Sequence, residues 1–162
     1  MDIRFTLNDE LAFATVPPTT PLARILRDHF SIGSLHQTCA SGQCGQCLVL
    51  LEGAAVPSCI VPAFSVRGYA VETVEGLLSK PEFMDLEKGF LEAGLSPCPL
   101  CAGNKAILAE SLIRHHPELQ RQEILSALPR HWCPCSTVDT FTNAVLAAWN
   151  HRRRRARHAQ TS

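Results

Sequence analysis

All eight cysteines of this 162-residue chain fall into two quartets. Thiolates gathered in fours are metal ligands, and the spacing says which metal centre they suit. The first quartet is Cys39-x4-Cys44-x2-Cys47-x11-Cys59, with three of its members inside nine residues. Four thiolates offset the charge of the iron, and the short x4 and x2 intervals wrap one loop around most of a [2Fe–2S] cluster. Gly42 and Gly45 stand inside that wrap. They are expected cofactor-binding residues, because glycine permits the unusual dihedrals that bring backbone N–H groups close to sulfur. The second quartet, Cys98-x2-Cys101-x31-Cys133-x1-Cys135, leaves no cysteine over. The chemistry predicted is electron transfer through two clusters.

Zinc is the alternative ligand for four cysteines. Zinc sites pair two short C-x2–4-C elements, and three cysteines in one nine-residue loop make a poor tetrahedral knuckle. For the first quartet this argues for iron and sulfide. A CxxC with a distant CxC is more ambiguous, and the second quartet taken alone leaves zinc open. Disulfides need a secreted context that nothing here supports. Among the histidines, His131 stands two residues before Cys133 and is placed to hydrogen-bond near that site, while His115 and His116 mark a helix end. The cysteines already complete both sites, so no histidine is expected as a ligand. No Ser-His-Asp set or carboxylate pair stands out, and no catalytic residue is assigned.

The composition, 46% hydrophobic and 19% charged, is that of a globular chain long enough for one ordinary or two small domains. No stretch approaches the ~20 apolar residues of a membrane span. The first residues lack the basic and apolar regions of a secretory signal, and cysteines kept reduced for metal fit a cytoplasmic location. The net charge of zero conceals a split. All the acidic residues precede position 151, while Arg152, Arg153, Arg154, Arg155 and Arg157 crowd the end. Residues 151–162 are expected to be a basic, disordered, solvated tail or one docking on an acidic partner. No interleaved aromatics point to nucleic acid.

The elements that must position the cysteines change character near residue 78. Before it, Ile3, Phe5 and Leu7 alternate with polar residues, and a turn at Asn8-Asp9-Glu10 leads to Leu11, Phe13 and Val16, which predicts a β-hairpin. Thr20 as N-cap and Pro21 in the first turn predict a helix carrying Leu22, Ile25 and Leu26. Leu48–Leu51 and Ala54–Val56 predict a second hairpin with Cys59 just past its end, and Tyr69–Val71 a further strand. Beyond Pro81 the period becomes helical: Phe83, Leu86, Phe90 and Leu91; then Ala106 to Ile113; then Ile124, Leu125 and Leu128; then Val138 to Trp149. The fold class expected is α+β. Residues 1–77 would form a mixed sheet with one helix across it, and 78–150 a four-helix unit holding the second quartet. Trp132 and Trp149 are expected in a core or interface, with Trp132 placed to shield the adjacent site.

Together these features resemble the small iron–sulfur subunit of the xanthine dehydrogenase and aldehyde oxidoreductase family of molybdenum hydroxylases. Cys39-Ala40-Ser41-Gly42-Gln43-Cys44-Gly45-Gln46-Cys47 matches that family's C-x-x-G-x-C-G-x-C loop at every fixed position, and Thr20-Pro21-Leu22, Ile25-Leu26-Arg27 and Thr73–Leu77 are similar to its landmarks. The resemblance implies a plant-type ferredoxin-like, β-grasp [2Fe–2S] domain followed by a helical [2Fe–2S] domain. It implies that Cys98, Cys101, Cys133 and Cys135 hold the cluster near the molybdopterin of a large partner subunit. Cys39, Cys44, Cys47 and Cys59 would hold the cluster towards an FAD subunit or another acceptor. The complex would hydroxylate an N-heterocycle or an aldehyde with water. A carrier or redox sensor with a partner lacking molybdenum is the other reading.

The second half departs from the family pattern. The usual Q-C-G-F-C-T-P-G is here Pro97-Cys98-Pro99-Leu100-Cys101-Ala102-Gly103, and the usual C-R-C-T-G-Y is Cys133-Pro134-Cys135-Ser136-Thr137-Val138. Pro97 cannot make the family glutamine's contact with the pterin. Pro99 and Pro134 each remove an N–H donor to sulfur. Fewer donors disfavour the added charge of the reduced state, which predicts a lowered potential at this site.

Overall fold

A computed structural model describes residues 1–36, 38–130 and 132–161. Strands β1 (Asp2–Leu7) and β2 (Glu10–Thr15) form the predicted first hairpin. Its turn residues Asn8 and Asp9 have positive φ, as a two-residue turn of this twist requires. Phe5 pairs with Ala12 and Ile3 with Ala14, so the alanines and not their larger neighbours face inward. Leu11 and Phe13, from which the second strand is predicted, point to solvent.

Helix α1 (Leu22–Phe30) buries Leu22, Ile25 and Leu26 as expected. Its start is one residue later than predicted. Pro21, extended and without a side-chain cap, holds the N-cap position assigned to Thr20. Strands β3 (Leu48–Leu51) and β4 (Ala54–Pro57) make the second hairpin, and β5 (Ala70–Glu72) completes the order β2-β1-β5-β3-β4. The β1–β5 pair is parallel and the other three are antiparallel. On one face, α1 packs over Ile3, Phe5, Val49 and Val71.

Leu50 points the other way and joins the helical core with Leu86, Ile107, Ile124, Phe141 and Val145. That core is built by α2 (Val74–Leu77), α3 (Pro81–Glu92), α4 (Ala102–His115), α5 (Arg121–Ser126) and α6 (Val138–Gln160). Helix α4 lies against the sheet. Asn104 Oδ1 accepts from Leu48 N at 3.2 Å and Ser111 Oγ from Ala55 N at 2.9 Å, so two helix side chains satisfy strand amides. Helices α3 and α6 cross where Gly89 meets Ala144 and Ala148. Leu91, predicted on the α3 stripe, is instead 83% exposed, and Leu125 lies at the surface of α5.

The largest correction concerns the basic tail. Helix α6 does not end near Asn150 but runs to Gln160. Arg152 bonds to Asp85, Glu110 and the carbonyl of Glu82, and Arg155 bonds to Asp85. Buried carboxylates on α3 and α4 therefore hold residues that sequence reasoning assigned to solvent. His151 adds a contact to Glu92 at 2.8 Å.

Candidate metal centre

The first quartet is carried by the loop between α1 and β3, with Cys59 delivered by a 3₁₀ turn (Ser58–Ile60) directly after β4. Ser58 fixes that turn, its N–H and hydroxyl both donating to the Cys47 carbonyl at 3.0 and 2.6 Å. Gly42 and Gly45 have φ of +74° and +66°, the left-handed region that favours glycine. The N–H groups of Ser41 and Cys44 donate to the Cys39 sulfur and hold its thiol down at about 5. Burial, then contact with Cys47, pushes the Cys59 thiol up to about 11 despite a bond from the Gly42 N–H. Thr38 Oγ1 donates to Cys44 Sγ at 3.1 Å. Cys47 and Cys59 are buried, Cys39 and Cys44 half-buried.

The second quartet joins the start of α4 to the loop before α6. The Cys98 carbonyl accepts from the N–H groups of Cys101 and Ala102, which folds Cys98-Pro99-Leu100-Cys101 into a turn that leads into α4 with Cys101 as its N-cap. Trp132 closes the other loop by donating from Nε1 to the Ser136 carbonyl at 2.7 Å, while its ring packs on Phe141. The four sulfurs all lie within 4.8 Å of one another. Cys101 Sγ is 3.2 Å from Cys135 Sγ, and Cys98 Sγ is 3.4 Å from Cys101 Sγ. Burial, then its sulfur contacts, pushes the Cys101 thiol up to about 12. Burial acts the same way on Cys135, but the Cys98 N–H, the Cys101 thiol and the Lys105 ammonium outweigh it and leave that thiol at about 6. Thiols crowded so that some ionise easily and others resist are suited to a cation that displaces their protons.

The residues of the second quartet fit a metal centre, and among the described residues only this quartet has its sulfurs gathered so closely. The donors are all sulfur, and backbone N–H groups and one ammonium are aimed at them. The two sites are neighbours. A crevice of about 30 Å³ is lined by Cys44 and Gly45 from one loop and by Cys101, Lys105, Trp132 and Cys133 from the other elements. Beside the second quartet, Pro97, Pro99 and Leu100 border an apolar hollow of about 340 Å³. His131 lies outside the described residues.

Sequence reasoning missed Lys105, Ser136 and Thr38. The signal for Lys105 was available: it follows Cys101 by one helical turn, which puts it on the same side of the helix as that cysteine.

No family model matches the chain. One component of the nicotinate dehydrogenase of Pseudomonas putida is 29% identical over 152 residues, which are 94% of this chain and 97% of that one. One component of a probable xanthine dehydrogenase of Bacillus subtilis is 30% identical over 133 residues, 82% of this chain and 76% of the relative. The chain belongs to the small iron–sulfur subunits of the molybdenum hydroxylase family. A chain in the crystal structure of quinoline 2-oxidoreductase from Pseudomonas putida 86 superposes on this iron–sulfur subunit with a TM-score of 0.80 at 28% identity, covering 94% of this chain and 96% of that one. The aldehyde oxidoreductase of Desulfovibrio gigas shares the fold, with a TM-score of 0.85 at 24% identity, and this subunit spans 17% of its chain. The mixed α+β architecture is thus that of the family.

Proposed function

We propose that this subunit binds two [2Fe–2S] clusters and carries electrons from a molybdopterin-containing large subunit towards an FAD subunit or another acceptor. Cys39, Cys44, Cys47 and Cys59 would hold one cluster, in a ferredoxin-like unit of residues 1–77. Cys98, Cys101, Cys133 and Cys135 would hold the other, in a helical unit of residues 78–150. The observation that carries this reading is the shared crevice, which puts Cys44 of one quartet beside Cys101 and Cys133 of the other. Two unrelated zinc sites have no need of such adjacency. A carrier does, because transfer requires its centres to be close.

An iron–sulfur cluster, when bound, takes up and releases a single electron with no bond to substrate. The chain's own residues do the rest. Buried Cys47, Cys59 and Cys101 anchor each site to the core, whereas Cys39, Cys44, Cys98, Cys133 and Cys135 reach towards the surface where partners dock. The second quartet is read as the molybdenum-proximal site. The hollow bordered by Pro97, Pro99 and Leu100 lies beside it and supplies an apolar face for the large subunit. Names of relatives point to an N-heterocycle or an aldehyde as substrate of the complex.

One observation favours a second reading of the second quartet. A tetrahedral ion with metal–sulfur bonds of about 2.3 Å puts its sulfurs about 3.8 Å apart, and the spacing here also meets that requirement. The quartet would then hold one zinc, and the chain would be a single-cluster carrier.

Paired variants test the assignment. Cys44→Ser and Cys133→Ser should each remove about half of the iron and sulfide, and each should abolish a different EPR signal of the reduced protein. Iron unchanged in Cys133→Ser, with zinc lost, would refute the two-cluster reading.

A further inference from the structure

Lys105 is a buried cation, 4% exposed, on the first turn of α4. Its ammonium donates to Cys135 Sγ at 3.2 Å and to Ser136 Oγ at 2.6 Å, and it stands 4.6 Å from the centre of the Trp132 ring. No carboxylate is among these partners. A buried ammonium is costly unless something negative compensates it. Here the compensation is the thiolate set itself, with a hydroxyl and the negative face of an aromatic ring completing the cage. Ser136 is in turn fixed by the Trp132 bond to its carbonyl.

We propose that Lys105 sets the reduction potential of the centre held by the second quartet, raising it by stabilising the reduced state. The inference rests on reading that quartet as an iron–sulfur site. On reduction one electron enters the centre and no bond is made or broken, so the whole change is one added negative charge. A fixed positive charge in contact with a ligand sulfur lowers the free energy of that more negative state. It acts against the loss of N–H donors at Pro99 and Pro134. A charge-assisted hydrogen bond is roughly twice as strong as a neutral one, so this single contact is of the size needed to offset both prolines.

The test is an EPR-monitored redox titration of the full chain, comparing wild type with Lys105→Met, Lys105→Gln and Lys105→Arg. The signal of the second quartet is identified as the one that Cys133→Ser removes. Lys105→Met and Lys105→Gln should make reduction at that site at least about tenfold less favourable, a negative shift of about 59 mV for one electron. The first quartet's midpoint should not move, and Lys105→Arg should stay near wild type. Titrating both neutral variants keeps the comparison if one of them fails to take up iron. Two signals with an unmoved second midpoint would overturn the inference alone, as would an equal shift at both sites. A single signal in wild type would overturn the reading of the quartet, and the inference with it.

Discussion

Arg152 Nη2 lies 2.7 Å from Glu110 Oε2, and the carboxylate it meets has no exposed surface. The same guanidinium reaches Asp85 at 2.6 Å, so one residue near the end of the chain neutralises buried acids on two helices. This fastening holds α6 against α3 and α4. Helix α6 also begins just after the Cys133-Pro134-Cys135 loop, so the anchor at one end bears on the metal site at the other.

Removing the guanidinium should therefore unfold more than a tail. Arg152→Met takes its bonds from Glu110 and Asp85 but leaves Arg114 on the first and Arg155 on the second, so the cost falls below the about 3–5 kcal/mol of stripping a buried charge of its only partner. Chemical denaturation should show a loss of about 1–3 kcal/mol for Arg152→Met, and a larger one for truncation after Asn150, which removes Arg155 from Asp85 as well. If Arg152→Met kept wild-type stability, the tail would be solvated as its composition first implies.

The acid side of this network predicts a pH dependence. Burial pushes the Asp85 carboxyl up, but the bonds from Arg155 and Arg152 outweigh burial and hold it below the ordinary carboxylate range. A group depressed in the folded state contributes stability that is fully present above its unfolded pKa of about 3.9 and is lost as pH falls through the folded value. Denaturant midpoints of wild type and Asp85→Asn should thus differ most near neutrality and converge below about pH 4. A gap that widened on acidification would contradict the assignment.

Gly89 is the tightest point of the α3–α6 crossing. A Cβ there would stand 2.3 Å from the Ala148 nitrogen and 2.6 Å from the Ala144 oxygen, both backbone atoms that no side-chain rotation can move. Overpacking costs about 1–3 kcal/mol, and Gly89→Ala should reach at least that in spite of alanine's better helix propensity. A melting temperature equal to wild type would mean that the helices sit further apart.

Much of this was legible in the sequence because period and spacing are local properties. The two hairpins, α1 and the four main helices each carry their own pattern, and the cysteine spacings announce two sites. What escaped depends on contacts between distant segments. An arginine run reads as solvated until Asp85 and Glu110, 67 and 42 residues away, are placed beneath Arg152. Lys105 stands one helical turn after Cys101, but its contact with Cys135 comes from 30 residues on and only the fold supplies it. Leu11 and Phe13 misled for a different reason. Alternation alone does not say which phase faces the core, and the pairing with β1 chose the alanines.

Whether one chain holds two iron–sulfur centres side by side is decided by metal analysis together with EPR. The protein would be purified without oxygen, assayed for iron, sulfide and zinc, and examined after reduction with dithionite. The account predicts about four irons and four sulfides per chain, no stoichiometric zinc and two distinct signals. About two irons with one zinc and a single signal would contradict it, leaving only the Cys39–Cys59 site as an electron carrier.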